Sequence, residues 1–448
     1  MKKNDILTLK IDDFSHDGKG VAHHENITIF VEKGIKGEIA DIKIVKVMPK
    51  KNMAYGVISE LKKKSPQRIK PKCEYKNCGG CQLHHVSYEM ETEFKKSVVN
   101  AALQRIAKTD VRVEKIIQAP EIYHYRSKVS VPVGKVKNQA VTGFYAAKSH
   151  NIIPMDNCIV QPATNDKILE IIRNWIDKYK ISVYDESKKQ GKIRHVVIRN
   201  GDNETMVVLV SRSKRINDIK KLIDSLRSFS KKITSIILNV NKSFHNKILG
   251  EQNITLYGKD TIISSISGIK FSLGPDTFFQ INKKQTEVLY KEALEMAEVG
   301  KDDIIADAYC GVGTLTLFSA LRAKKVIGFE INENSVKNAF FNAKTNKISN
   351  VEFIAGDVNE KLLSWANEGN KCDVLILDPP RKGATEKFWS AVEKVSPERI
   401  VYISCYPSTL ARDLGGLKNR GYKPEKIIAV DMFPRTHHIE TVTLLKKF

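Results

Sequence analysis

Along roughly the first sixty residues, apolar and polar positions alternate in short runs such as ITIFVEKG, GEIADIKIVKV and AYGVISEL, punctuated by Gly18, Gly20, Gly34, Gly37 and Gly56. Alternation with period two puts one row of side chains inside a sheet and the next row outside, and glycines at the turns between such runs predict a small β-barrel over residues 1–61. The pattern breaks at KKKSPQRIKPK (62–72), where charge and two prolines read as a linker. From Tyr88 to Arg105 the period lengthens to that of a helix. RHVVIRN from Arg194 and TMVVLVS from Thr205 then predict two strands meeting at a GDNE turn, with a helix over 216–229. A central α+β domain over 62–270 follows.

The last 150 or so residues change rhythm. DDIIADAYCG, VIGFE, VEFIAGD, CDVLILDPP and RIVYISC are short apolar strands, separated by helical stretches such as 334–346 and 385–394. Strands this uniformly apolar need cover on both faces of their sheet. The prediction is a doubly wound, Rossmann-like α/β domain over 271–448.

At 448 residues the chain exceeds the usual size of one core, in keeping with that division. Lys plus Arg outnumber Asp plus Glu by 74 to 51, a formal net charge of +23. Such an excess favours a polyanionic partner, nucleic acid or an anionic membrane surface, although basic proteins also gain plain solubility this way. The excess is uneven: residues 1–72 hold sixteen basic and nine acidic side chains, and residues 180–250 hold sixteen and six. No run of 18 apolar residues and no signal-peptide pattern is present, which points to a cytoplasmic, reducing compartment and away from a membrane. Seven cysteines in that setting favour metal binding or catalysis over disulfides.

Cys73, Cys78 and Cys81 crowd into CEYKNCGGC, with Cys158 a candidate fourth ligand. The thiolates are close enough in sequence to wrap one metal centre, and Gly79 and Gly80 free the backbone to curl around it; zinc and a [4Fe-4S] cluster both satisfy the spacing. Cys310 and Cys372 lie in or beside apolar strands and read as packing residues. DAYCGVGTLT (307–316) follows a strand and opens a helix, and Gly311 and Gly313 allow a ligand to lie on the turn. Glu330 ends the next strand, placed to accept from a ribose diol, and Asp357 ends the third, facing the base or sugar edge. A dinucleotide shares much of this geometry, but Thr316 replaces the third glycine of its loop and Asp307 would repel a pyrophosphate. An amino-acid-bearing cofactor such as S-adenosylmethionine suits both the diol and the charge.

DPPR (378–381), SCYP (404–407) and HIETV (438–442) together resemble the RNA uracil-5 methyltransferase family, which makes 5-methyluridine, and FFQIN (278–282) is similar to its cofactor-contacting segment. The amino-terminal part resembles that family's TRAM barrel, and CEYKNCGGC with Cys158 resembles the four-cysteine iron-sulfur site of its ribosomal RNA members. The resemblance implies Cys405 as the nucleophile that adds to uracil C6, Glu440 as the base that removes the C5 proton, and Gln280 at the methionine end of S-adenosylmethionine. Asp378, at the carboxyl edge of the fourth strand, would hold substrate or cofactor polar groups, and Arg381 a phosphate or the enolate oxygen. It further implies a [4Fe-4S] cluster in preference to zinc, 23S rRNA of the large ribosomal subunit as partner, and no obligate protein partner. Transfer-RNA uridine methylation and a non-catalytic RNA-binding protein are the alternative readings. A radical iron-sulfur methylase is excluded by the spacing of the cysteine trio.

Overall fold

In the computed structural model, which describes residues 1–448, the alternating amino-terminal positions form a six-stranded sheet closed around its own core. Its strands are Ile6–Lys10, Asp13–Phe14, Gly20–His24, Ile27–Glu32, Ile39–Met48 and Met53–Lys63. Ala22, Ile29, Val31, Ala40, Ile42, Ile44 and Ala54 supply the buried row. Gly18 and Gly37 take positive φ at turns, as expected. Gly56 does not: it lies within a strand, where a Cβ would come 2.4 Å from the Ile42 side chain, so it marks a close approach inside the barrel. The 62–72 segment also departs from a free linker. Arg68 donates to the fully buried Glu38 carboxylate at 2.6 and 2.7 Å, fastening the segment to the barrel.

The central region is a seven-stranded sheet ordered Ile152–Pro154, Gln139–Tyr145, Lys128–Val136, Ile193–Asn200, Thr205–Ser211, Ile233–Val240 and Gln252–Gly258. It is antiparallel except between Thr205–Ser211 and Ile233–Val240. Both faces are apolar. Val196, Ile198, Val207 and Leu209 pack toward helices Ala163–Lys178 and Ile219–Phe229, while Val197, Met206, Val208 and Val210 join the core of the carboxy-terminal domain. The period-two alternation therefore serves two cores, and the central and carboxy-terminal parts share one of them.

The carboxy-terminal sheet has eight strands, in the order Val351–Ala355, Lys325–Glu330, Ile304–Ala308, Val374–Leu377, Arg399–Ser404, Glu440–Lys447, Tyr422–Val430 and Val113–Ile117. The first five are parallel, and Glu440–Lys447 runs antiparallel between Arg399–Ser404 and Tyr422–Val430. Helices cover both faces, and no helix is long and apolar enough to cross a membrane. The outermost strand, Val113–Ile117, lies far upstream of residue 271, and helix Tyr88–Ala102 packs beside it. The 271–448 segment thus lacks one strand of its own sheet.

That upstream helix is bound to the domain by buried charge. The Lys95 ammonium lies 2.8 Å from Glu91 and 2.7 Å from Asp431, all three fully buried, and also donates to the Phe433 carbonyl. Tyr88 donates to the other Asp431 oxygen at 2.8 Å, and Arg435 reaches Glu91 at 3.3 Å. Burial pushes the Glu91 carboxyl up, against the pull of Lys95. Removing one member leaves its partners charged and unsatisfied. Lys95→Met is expected to lower unfolding free energy by about 3–5 kcal/mol, read as a fall in the urea midpoint, whereas an unchanged midpoint would show that the cluster holds nothing together.

Candidate functional site

The parallel strands end along one edge, and the residues singled out there by sequence converge. Asp307 lies in Ile304–Ala308, Glu330 ends Lys325–Glu330, Asp378 follows Val374–Leu377, and Cys405 follows Arg399–Ser404. The antiparallel register supplies the closest pairing. Ser404 lies opposite Thr441, whose hydroxyl donates to the Ser404 carbonyl at 3.0 Å, so the next pair along the two strands is Cys405 and Glu440.

Glu440 is 3 % exposed and its Oε2 has no hydrogen-bond partner. Burial first, then the Asp378 charge, push its carboxyl well above the ordinary carboxylate range, while Arg381 pulls it down. Asp378 keeps part of its surface open to the site but is otherwise enclosed by protein, and that enclosure raises its pKa to about 7. Asp307 is raised to about 7 by burial and by the Asp378 and Glu330 charges, offset by a 2.5 Å hydrogen bond from the Thr316 hydroxyl. Half-buried Cys405 is pushed up to about 11 by burial, then by Glu440 and Asp378, and Arg381 alone draws it down. At that value roughly one thiol in ten thousand is ionised at neutral pH. A cluster of enclosed carboxyls with one exposed guanidinium beside it is a site short of positive charge.

Around the glycine turn, Gly311 and Gly313 have φ of +57° and +80°, and nothing lies within 4 Å of where a Gly311 Cβ would be, so the backbone there is open to a ligand. Glu330 accepts from the Gly311 and Asn332 backbone N–H groups at 3.0 and 2.8 Å. Asp357 caps helix Val358–Asn367 through one carboxylate oxygen, 2.8 Å from the Asn359 N–H. Both acids therefore shape the turn and the next helix, with lone pairs left for a ligand. Gln280 is half-buried and its amide makes no hydrogen bond within the chain; its segment is held by the Asn282 amide on the Met432 carbonyl at 3.1 Å and by the Ser127 N–H on the Ile281 carbonyl at 2.8 Å.

Tyr290 is a site residue the sequence did not disclose. On helix Lys283–Met296 its ring follows the apolar face and reads as core, yet its hydroxyl meets the Thr314 hydroxyl at 2.9 Å and feels the charges of Asp378, Asp307 and Glu440. His438 stacks near His437, their ring centroids 4.2 Å apart, and burial lowers its pKa to about 3, so it is neutral at physiological pH. Cys310 and Cys372 are buried among apolar residues, as expected of packing thiols.

Cys73, Cys78, Cys81 and Cys158 line one cavity of about 80 Å³ with Arg126 and Met155. Burial and the mutual repulsion of the four raise the Cys81 thiol, and burial raises Cys158 to about 11. The Gly80 N–H donates to the Cys78 sulfur at 3.3 Å. Gly79 passes so close to the neighbouring hairpin that a Cβ would lie 2.9 Å from the Tyr145 carbonyl oxygen. The thiols share a cavity, but no three of them are gathered into ligating geometry.

Comparison with known proteins matches residues 87–448 to the family described as tRNA (uracil-5-)-methyltransferase and residues 2–58 to the TRAM domain. An uncharacterized RNA methyltransferase of Clostridium tetani is 42 % identical over 99 % of this chain and 97 % of its own. Another, of Oceanobacillus iheyensis, is 39 % identical over 99 % and 97 %. Among solved structures, the tRNA (uracil-54, C5)-methyltransferase of Pyrococcus abyssi in complex with S-adenosyl-L-homocysteine superposes with a TM-score of 0.77 at 28 % identity, covering 98 % of this chain and 100 % of that one.

Proposed function

Because the chain belongs to the tRNA (uracil-5-)-methyltransferase family, carries a TRAM domain and has a cysteine quartet resembling that of the family's ribosomal RNA members, we propose that it methylates uridine at C5 in 23S rRNA, with S-adenosylmethionine as donor and Cys405 as a covalent nucleophile. The observation that supports the reading is the closeness of Cys405 and Glu440, which adjoin the last pair of two antiparallel strands and feel each other's charge, beside Asp378 and Arg381. The donor fits a site short of positive charge, and when bound it supplies an electrophilic methyl on a cationic sulfur. Asp307 and Asp378 would take its positive groups, Glu330 its ribose hydroxyls, Gly311 its close approach, Asp357 its base or sugar edge and Gln280 its methionine end.

Uracil C5 is too weak a nucleophile to be methylated directly. The Cys405 sulfur would bond to C6, and the C5=C6 electron pair would move toward C5 and O4, making C5 nucleophilic enough to receive the methyl that the bound donor would supply. Glu440 then accepts the C5 proton; the freed pair re-forms C5=C6 and expels the Cys405 thiolate. A carboxyl held well above its ordinary pKa is a stronger base than one in water, which suits Glu440 to a carbon acid. Arg381 is placed to favour the thiolate and the developing enolate oxygen. The base must leave its stack for C5 and C6 to reach these groups.

Cys405→Ala is expected to abolish methylation, and Glu440→Gln to transfer the methyl but trap the protein–RNA adduct as a shifted band on a denaturing gel. Since burial and the Glu440 and Asp378 charges hold the Cys405 thiol up, its thiolate grows as pH rises, so single-turnover rate should climb between pH 7 and 9. Methylation by Cys405→Ala, or normal turnover by Glu440→Gln, would remove these two residues from their roles.

The second reading, a tRNA substrate, draws on the Pyrococcus abyssi enzyme, whose match over 98 % of this chain reaches into the barrel. The barrel alone therefore does not separate the two substrates. Mass mapping of 5-methyluridine in rRNA and tRNA from a deletion strain decides: loss from 23S rRNA is expected, and loss confined to tRNA would overturn the assignment.

Cys73, Cys78, Cys81 and Cys158 are assigned to a [4Fe-4S] cluster ahead of zinc. Four soft donors on one cavity and an N–H aimed at the Cys78 sulfur support the assignment. No step of the methyl transfer needs a redox group, so the role is structural. Cys78→Ser should lower both iron content and RNA affinity; protein purified without oxygen that is active and free of iron would refute it.

A further inference from the structure

The densest positive region of the chain, residues 180–250, holds a second cavity, of about 310 Å³, which shares no residue with the Cys405 site. One wall alternates cations and rings. The Arg194 guanidinium lies 4.7 Å from the Tyr184 ring centre, Arg212 lies 5.3 Å from Tyr184 and 4.7 Å from Phe244, and Lys189 lies 5.2 Å from Phe244. Across from it Tyr145 and His150 stack at 5.2 Å, and the His150 Nδ1 is paired with Glu186 at 2.7 Å.

The floor carries unfinished polar chemistry. Arg194 and His195 are 6 % and 7 % exposed and both line the cavity, yet Arg194 Nε and His195 Nδ1 have no partner. One Arg194 nitrogen is anchored by the Ser243 carbonyl at 2.5 Å and the Asn241 carbonyl at 3.3 Å, which fixes the guanidinium in place. Both atoms are themselves covered by the surrounding protein, so the groups open to a ligand are the rings and cations of the wall. Phe244, meanwhile, is 58 % exposed. An exposed aromatic flanked by cations is the ordinary platform for a nucleobase.

Resting on the RNA-substrate reading above, we propose that this cavity is a second nucleotide site, which takes one unpaired, amino-bearing base of the RNA away from the reacting uridine. The base stacks on Phe244, and Lys189 on the wall and Arg212 beside it face the adjoining phosphates. Glu186 selects among bases. A carboxylate accepts from the amino groups of adenine, cytosine or guanine and offers nothing to uracil O4. It also repels a phosphate that would otherwise fill the cavity, which makes a base the better occupant.

The test compares binding of the full chain to a fluorescent ten-nucleotide oligo(A) and to an abasic strand of equal length, neither of which presents a uracil to Cys405. Wild type should bind oligo(A) roughly 5- to 100-fold more tightly. Phe244→Ala should erase that preference without changing affinity for the abasic strand, and Lys189→Ala should weaken both strands alike. Phe244 is largely exposed, so its truncation should spare the fold, checked by an unchanged circular dichroism spectrum. Equal wild-type affinity for the two strands, or a preference that survives Phe244→Ala, overturns the site whatever the methylation assay gives. A preserved preference in a protein that methylates no RNA would instead reject the enzyme assignment and leave the site standing.

Discussion

Everything at the reacting edge hangs on one buried charge, the Lys95 ammonium between Glu91 and Asp431. It fixes residues 431–436, and that short segment touches three other parts of the molecule. The Asp431 and Met432 carbonyls accept from Gln285 and Asn282, which anchors the start of helix Lys283–Met296. The Arg435 N–H donates to Glu91 and its guanidinium to the Val86 carbonyl, while its own carbonyl accepts from the Gln82 and Leu83 N–H groups. Arg435 takes a left-handed backbone, φ +69°, which a non-glycine residue keeps only where its surroundings hold it. Well-packed apolar side chains would stabilise such an interface as well or better. What the ions add is direction, because both Asp431 oxygens and Glu91 Oε1 have their own donors and the segment has one way to sit.

From that fixed segment the chain passes through His437 and His438 into strand Glu440–Lys447, and the insertion of this strand antiparallel into a parallel sheet is what creates the site. A parallel neighbour would run alongside Arg399–Ser404 and end at the same edge; an antiparallel one begins there, so its first residue, Glu440, lies at the edge where Cys405 follows Ser404. Asp307, Asp378 and Cys405 thus come from parallel strands and Glu440 from an antiparallel one, yet they meet at one edge. Their shared enclosure explains why Asp307, Asp378 and Glu440 all shift upward together. None has a buried cation beside it, in contrast to Glu91 and Asp431, which are paired within the fold. The same residue type is neutralised by protein in one place and left for a ligand in the other.

Much of this was legible in the sequence because the buried parallel strands are continuous apolar runs that stop at an acidic residue or a cysteine. Asp307, Glu330 and Asp378 were visible for that reason, Cys405 through the resemblance of its SCYP segment, and the barrel from strict alternation. Three features were hidden, each by a long-range contact. Val113–Ile117 is a five-residue edge strand with two exposed positions, and only its pairing with Tyr422–Val430 reveals it. Glu91 and Lys95, four apart on a helix, look like a solvated surface pair; Asp431, more than three hundred residues away, buries them. Gly56 reads as a turn because nothing local shows that the Ile42 side chain occupies its space. The cysteine spacing was plain, but the placement of Cys158 against the other three depends on how the central sheet meets the barrel.

The cysteine loop stands between the central hairpin and the segment that leads into Glu440. On one side Cys78 bridges to Ala146 and the Gly79 N–H donates to the Tyr145 carbonyl at 2.9 Å, on the hairpin that walls the second cavity. On the other, Gln82 and Leu83 hold the Arg435 carbonyl, four and five residues before Ile439 and Glu440. A loop with two glycines and few apolar side chains has little packing to hold both contacts at once. Cross-linking its thiols through a bound centre would remove that freedom, so the hairpin and the Glu440 strand would keep a fixed separation. A rigid spacer is what a base-flipping enzyme needs if one part grips the RNA while another receives the displaced uridine. Chemistry that never calls for an electron thereby acquires a physical reason to keep four cysteines together.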